Sequence, residues 1–266
     1  IRREKIRKFS GVMVAGFMVV FAGVIITQSG QVNKYNFEVY EQLQEKGEDV
    51  HAVFPPITYN YSKQSLSEKL QQPSGKHIMG TDRKGRDVAV RMLFGIRISL
   101  SVGVIAVGIY VTIGILLGAI AGYFRGRVDM VIQRFIEIFM AVPTLIVLLV
   151  LISFIKQPSI FHIMVVIGLF RWTGVARLVR GEFYRLRNLD FVTSAIALGF
   201  STRRIIFQHI LPNALGPVLV AATFGVAAAI LIESSLSFLG LGDINVPSWG
   251  QTLNAGYKTR EWYLIL

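Results

Sequence analysis

Long apolar runs alternate with short basic stretches along this chain, and several of the runs are long enough to cross a bilayer. A span needs roughly 20 mostly apolar residues. Residues 9–27, 99–124, 131–155, 160–179 and 214–232 meet that need, the fourth with a less apolar end. A sixth run begins at Trp262 and is cut off at Leu266, so the natural protein is expected to continue. The pattern predicts an all-α, polytopic membrane helix bundle of six spans, the last truncated, with one small polar segment outside the membrane.

Three polar stretches interrupt the runs. In residues 30–76, Asn36 can cap a short helix with Phe37, Tyr40 and Leu43 on one side, Pro55-Pro56 enforces an extended break, and Ser65 with Glu68 fits a capping box. This segment reads either as a small lid without a ligand or as a docking surface for an extracytoplasmic partner. In residues 77–100, Gly80 and Gly85 permit backbone angles other residues avoid, and Thr81 or Asp82 can cap the next helix. Val88, Met92 and Ile96 then share a helix face opposite Arg86, Asp87 and Arg91, with Asp87 and Arg91 at pairing distance. That predicts an amphipathic anchor helix on the membrane surface before span two.

The third stretch, residues 194–213, is the most polar part of the second half. Phe191, Ala195 and Leu198, with Val192 and Ile196 beside them, predict a short helix that stops at Gly199. Ser201 can cap a second short helix in which Ile206, Ile210, Phe207 and Leu211 form the apolar face while Arg203 and Arg204 point elsewhere. Pro212 suits the start of span five.

Composition agrees with the pattern: the 266 residues are 53% hydrophobic and 17% charged, with mean hydropathy +0.53, more apolar surface than one soluble core can hide. The net charge of +12 sits largely in short basic loops. Arg2, Arg3, Lys5, Arg7 and Lys8, then Arg125, Arg127 and Arg134, then Arg177, Arg180, Arg185, Arg187, Arg203 and Arg204 all become cytoplasmic if the N-terminus is inside. Arg83, Lys84, Arg86, Arg91 and Arg97 oppose that orientation, in a loop near the length beyond which charge stops governing translocation. The charge therefore reads as an orientation and lipid-headgroup signal, with no nucleic-acid partner. The first run lacks a small-x-small cleavage site and reads as a true span. The absence of cysteine excludes disulfides and thiolate metal sites.

No catalytic pattern emerges. The chain has no Gly-x-x-x-x-Gly-Lys-Ser/Thr, so ATP and its Mg belong to another subunit, and it has no His-Glu-x-x-His or Gly-x-Ser-x-Gly. A secondary transporter is expected to carry membrane-embedded charges and paired interrupted spans. Only Glu137 and Glu233 stand within or at the edge of spans, and they read as edge or interhelical residues.

Ala195, Gly199 and Leu211-Pro212 stand at the spacing of the "EAA" loop of ABC importer permeases. "GTDRKGRD" with "GIRISL", "RIIFQHILPNAL" and "ESSLSFLGLGDINVPSWGQTLNAG" resemble, in order, segments of the oligopeptide and dipeptide permease branch, from about His77 to the end. Thr193 and Ser194 replace the Glu and first Ala of that loop. The resemblance implies a type I permease that pairs with a second permease chain, two cytoplasmic ABC ATPases and an extracytoplasmic substrate-binding protein, to import peptides or, in related systems, nickel complexes. It divides the chain into a tail and first span (1–29), an extracytoplasmic segment (30–76) and a permease core (77–266). Within the core it makes residues 182–212 the coupling loop, with Thr193, Ser194, Ala195, Gly199, Ile210, Leu211 and Pro212 facing the ATPase. It sets residues 233–260 at the outer mouth, with Glu233, Phe238, Leu239, Pro247 and Trp249 as gate or binding-protein contacts. The implied location is a prokaryotic inner or plasma membrane.

Overall fold

The computed structural model describes residues 60–265, so the predicted first span and the Asn36 helix lie outside the described residues. The helices are α1 Val88–Phe124, α2 Gly126–Ala141, α3 Thr144–Ser153, α4 Ile160–Phe170, α5 Trp172–Arg187, α6 Asp190–Ala197, α7 Thr202–Phe238 and α8 Trp249–Thr259. Among the described residues no strand forms. Three helical stretches, α1, α4 with α5, and α7, are long and apolar enough to cross a membrane, and α2 with α3 makes a fourth if the bent pair is one span.

Several boundaries differ from the sequence pattern, each for a local reason. The predicted surface helix is the first part of α1, because nothing between Val88 and Phe124 breaks the helix. Its cap is neither Thr81 nor Asp82 but Asp87, whose carboxylate accepts the Val90 N–H at 2.9 Å. Asp87 does not pair with Arg91; its second oxygen meets His77 Nδ1 at 2.8 Å. Asp82 accepts instead from the Lys84 and Arg86 backbone and from the Arg86 guanidinium. The Ser65 capping box is absent: residues Leu66–Glu68 form one 3-10 turn that the Ser65 side chain does not cap. The third predicted span is two helices meeting at 76°, since Pro143 forces Val142 into extended backbone. Trp262–Leu264, where the sixth apolar run begins, forms a 3-10 turn.

Packing centres on α1. Gly114, Gly118 and Gly122 recur every four residues along one face. A Cβ on Gly118 would lie 2.5 Å from the Ala176 carbonyl oxygen, and one on Gly122 would lie 2.5 Å from Phe183 Cβ. The glycines therefore let α1 and α5 run side by side at backbone contact, the small-xxx-small packing of membrane helices. Around this seam Tyr110, Ile136, Trp172, Val179, Phe183, Leu186, Ile205 and Ile210 form one core. Ile105, Leu148, Ile152, Ile163, Met164 and Leu236 form another nearer the start of α1. The bundle thus has a cap end, where residues 60–87 meet α8, and a loop end, where α5 turns through α6 into α7.

Candidate functional site

At the loop end, only Asn188 and Leu189 separate α5 from α6. Helix α6 stops where the pattern places its end. The Phe200 N–H reaches the Ala195 carbonyl at 3.1 Å and the Gly199 N–H reaches Ile196 at 2.9 Å, with Gly199 at φ +73°, which is a Schellman cap. The buried face of α6 carries Val192 and Ala195, whereas Leu198 is 73% and Ile196 46% exposed. Thr193 and Ser194 are also exposed. Ala195 thus packs into its own chain, and the surface offered outward is Thr193, Ser194, Ile196 and Leu198.

The second short helix expected after Gly199 is continuous with the long span to Phe238. Ser201 opens it in extended backbone without a side-chain cap, and residues Ile205–Ile210 make a π turn directly before Pro212. A proline ring collides with the carbonyl four residues earlier, and widening the helix relieves that collision. The wider turn also moves the inward face. Ile205 and Ile210, five apart, are buried, while Phe207 is 55% exposed and Leu211 half-buried. The predicted Ile206–Phe207 face is displaced by one position. Ser201, Arg203, Arg204, Phe207 and Gln208 line a shallow open pocket there, in which the Arg204 guanidinium lies 4.1 Å from the Phe200 ring centroid.

At the cap end, the residues singled out in the last turns of α7 and after it divide into two groups. Glu233 is fully buried and accepts a 2.6 Å hydrogen bond from Ser237 Oγ. Pro247 is buried, and Trp249 donates from Nε1 to the Met92 carbonyl at 3.2 Å, tying α8 to α1. Phe238 is half-buried against Tyr257, and Leu239, at 54%, is exposed, as are Ile244 and Tyr257. Asp243 turns a carboxylate to the Ile160 N–H at 3.2 Å, at the start of α4, where an anion is favoured. Glu137, in contrast, is exposed and pairs with Arg134 at 2.6 Å.

The sequence pattern counts the arginines of α5 and of the stretch up to α7 by sign alone. In the structure, Arg180 and Arg187 are fastened to the turn between α1 and α2. Partners so distant in sequence are not visible in a periodicity. The glycine stripe of α1 is visible as a four-residue spacing, a signal of close helix packing that hydropathy passes over. Among the described residues no group of three or more His, Asp or Glu side chains is arranged to hold a metal.

Residues 114–266 match the family described as the binding-protein-dependent transport system inner membrane component. The chain is 43% identical over 216 residues to an oligopeptide transport system permease protein of Haemophilus influenzae, covering 80% of this chain and 69% of that protein. It is 42% identical to a dipeptide transport system permease protein of Bacillus subtilis, over 79% of this chain and 66% of the relative. To the oligopeptide permease protein of the same bacterium it is 37% identical, over 80% and 70%. The chain spans about two thirds of the length of these relatives. With its apolar helical bundle and a match over more than half its length, this chain is a multi-pass membrane protein that belongs to the family of binding-protein-dependent transport system inner membrane components.

Proposed function

We propose that the chain is the permease subunit of an ATP-driven, binding-protein-dependent peptide importer. It forms half of a translocation pathway with a second permease, and two cytoplasmic ATPases, which bind ATP and Mg, dock on the loop end. A substrate-binding protein docks on the cap end. The N-terminus is then cytoplasmic, in agreement with the arginines gathered at the loop end. The observation that carries the reading is the outward ridge of α6. Leu198 and Ile196 stand exposed beside Thr193 and Ser194, on a helix whose other face is anchored by Val192 and Ala195. An apolar ridge on a polar, arginine-rich end is the kind of surface a protein groove covers. Peptides are favoured over nickel complexes because the relatives above are oligopeptide and dipeptide permeases by name.

The test is uptake of peptides of graded length by cells with and without this chain, paired with co-purification of ATPase subunits. Removing the chain should abolish uptake, and adding it back should restore it. Uptake that persists at every peptide length in its absence, or a chain that purifies free of any ATPase, would overturn the reading.

A further inference from the structure

The turn between α1 and α2 is gripped from two sides by the end of α5. Arg125 and Gly126 both hold left-handed φ, 59° and 54°, so the chain reverses within two residues and the first turn of α2 brings Asp129 against α5. Arg180 meets this carboxylate with both arms, Nε to Oδ1 at 2.5 Å and Nη2 to Oδ2 at 2.6 Å. One helical turn later on α5, Tyr184 donates its hydroxyl to Oδ2 at 2.7 Å. The Tyr184 ring lies between two guanidiniums, Arg125 at 4.7 Å and Arg180 at 4.8 Å from its centroid. Arg125 also donates to the Tyr184 carbonyl at 3.2 Å and to Asn188 Oδ1 at 3.0 Å. From the other side Arg187 donates to the Tyr123 carbonyl and lies over the Tyr123 ring at 4.9 Å.

We propose that this clasp, centred on Asp129, Arg180 and Tyr184, is the joint through which a displacement of α6 reaches α2 and the broken span beyond it. The proposal rests on the importer reading above, which makes α6 the surface the ATPases move. Three observations support it. First, Asn188 both closes α5 and belongs to the clasp, and α6 begins two residues later with Val192 and Ala195 sunk in the shared core. A push on α6 is therefore felt by the end of α5.

Second, apart from this clasp α2 is held by one apolar face, Ile136 with the half-buried Ile132 and Phe139. Only Asp129 and Ile136 of its residues are buried, whereas α1 is joined to α5 along about two turns of glycine seam. A bidentate guanidinium–carboxylate pair fixes a plane and an angle, where an apolar contact would allow sliding. Third, α2 ends at Val142–Pro143, where the axis turns by 76°. A hinge of that kind converts a small tilt of α2 into displacement of α3. Asp129 and Tyr184 are thus positioning residues for transport and touch no substrate.

The proposal is tested in the complete transporter, reconstituted with its ATPases and peptide-loaded binding protein. Asp129→Asn keeps the shape and removes the charge, Tyr184→Phe removes one hydrogen bond, and the exchange Asp129→Arg with Arg180→Asp restores an opposite pair. Asp129→Asn should assemble normally and hydrolyse ATP within about twofold of wild type. The ATP spent per peptide should rise about tenfold. Tyr184→Phe should shift the ratio in the same direction, and the exchange should recover part of the loss. An unchanged ratio would overturn the joint, as would uptake and hydrolysis falling together with the amount of assembled complex.

A second readout separates this idea from the importer reading. Spin labels at the exposed Arg127 and Ala197 should keep one narrow separation with and without ATP in wild type and broaden in Asp129→Asn. If the labels behave so while no peptide stimulates hydrolysis, the peptide reading fails and the clasp stands. If the wild-type separation is as broad as the variant's, the clasp fails whatever the substrate.

Discussion

The two ends of this bundle are built on opposite plans. At the cap end residues 68–87 are tied by their own hydrogen bonds. Gln71 and Thr81 exchange hydrogen bonds, with Thr81 N–H to the Gln71 carbonyl at 3.0 Å and Gln71 N–H to Thr81 Oγ1 at 2.8 Å. The Leu70 N–H reaches the Asp82 carbonyl at 3.2 Å, and His77 is buried against Asp87. Gly80 and Gly85 sit where side chains have no room. At the loop end Gly199 has the same positive φ with open space around it, and Ile196, Leu198 and Phe207 remain exposed. The glycine turns of one end are packed by the chain's own residues, and the glycine corner of the other stands open. Left-handed glycines occur at both, so glycine geometry alone does not tell a packed corner from an open one. What surrounds the missing Cβ does.

The sharpest way to break that comparison is to add the same methyl group at both ends. A Cβ at Gly85, φ +66°, would lie 1.7 Å from the Ser65 carbonyl oxygen, so backbone has to move. Gly85→Ala should cost several kcal/mol and lower the amount of folded protein in the membrane. At Gly199, φ +73°, nothing lies within 4 Å, and only the left-handed backbone penalty of about 1–2 kcal/mol applies. Gly199→Ala should therefore accumulate nearly as wild type. Membrane levels and thermal stability in detergent decide between them, and equal behaviour of the two variants would erase the distinction.

Much of this difference was legible in the sequence and some was not. The apolar runs located the crossing helices because burial in lipid leaves a signal in every residue of a span. The stop at Gly199 was legible because a Schellman cap is a local event. Pro143 was equally local, yet an apolar run on both sides of it reads as one span when hydropathy outweighs backbone geometry. The π turn was not legible: its cause, Pro212, comes after it in the chain, and its effect is to move the inward face from Ile206 to Ile205 by one residue. Asp129 and Arg180 lie 51 residues apart, and a charge that pairs over such a distance looks in sequence like any other basic or acidic loop residue. Asp87 is the converse case. Its four-residue spacing to Arg91 invited a pair on one helix face, but as the N-cap it is occupied by Val90 and His77.

A smaller and more specific effect sharpens the loop end. Replacing Leu198, 73% exposed, by aspartate removes an apolar contact from the proposed interface without disturbing the buried Val192 and Ala195. Burying a leucine contributes about 1.5–3 kcal/mol, so Leu198→Asp should weaken ATPase association about tenfold to a hundredfold while membrane levels stay normal. Pull-down of the ATPases from solubilised membranes reads this directly. Ala195→Asp makes the internal control. Because Ala195 is 2% exposed, its carboxylate would enter the chain's own core, so this variant should lose stability before it loses partners. If Leu198→Asp retained full association, the ridge of α6 would be bare for another reason.

The smallest expected effect lies at the cap end, in the ion pair that closes residues 68–77. The Lys76 ammonium bonded to Glu68 holds that carboxyl below its ordinary value, while burial pulls weakly the other way. A carboxylate with a depressed folded pKa stabilises at pH values above its unfolded pKa, about 4.3 for glutamate, and that stabilisation is lost as pH falls through the folded value. Lys76 is 59% exposed, so solvent screens the pair and its contribution is at most about 1 kcal/mol. Glu68→Gln keeps the Glu68 carbonyl that accepts from Thr81 Oγ1 and removes only the charge. Amide exchange over residues 60–87 should then be faster in the variant by about fivefold or less at neutral pH. The gap should shrink as pH falls below the unfolded value of about 4.3 and close only once the depressed folded value has been passed, and it should narrow in high salt. No gap at neutral pH would mean that backbone pairing and the two tight glycines hold the cap end without help. A gap beyond about tenfold would make one half-exposed ion pair its keystone, and the cap end would then be as conditional as the loop end.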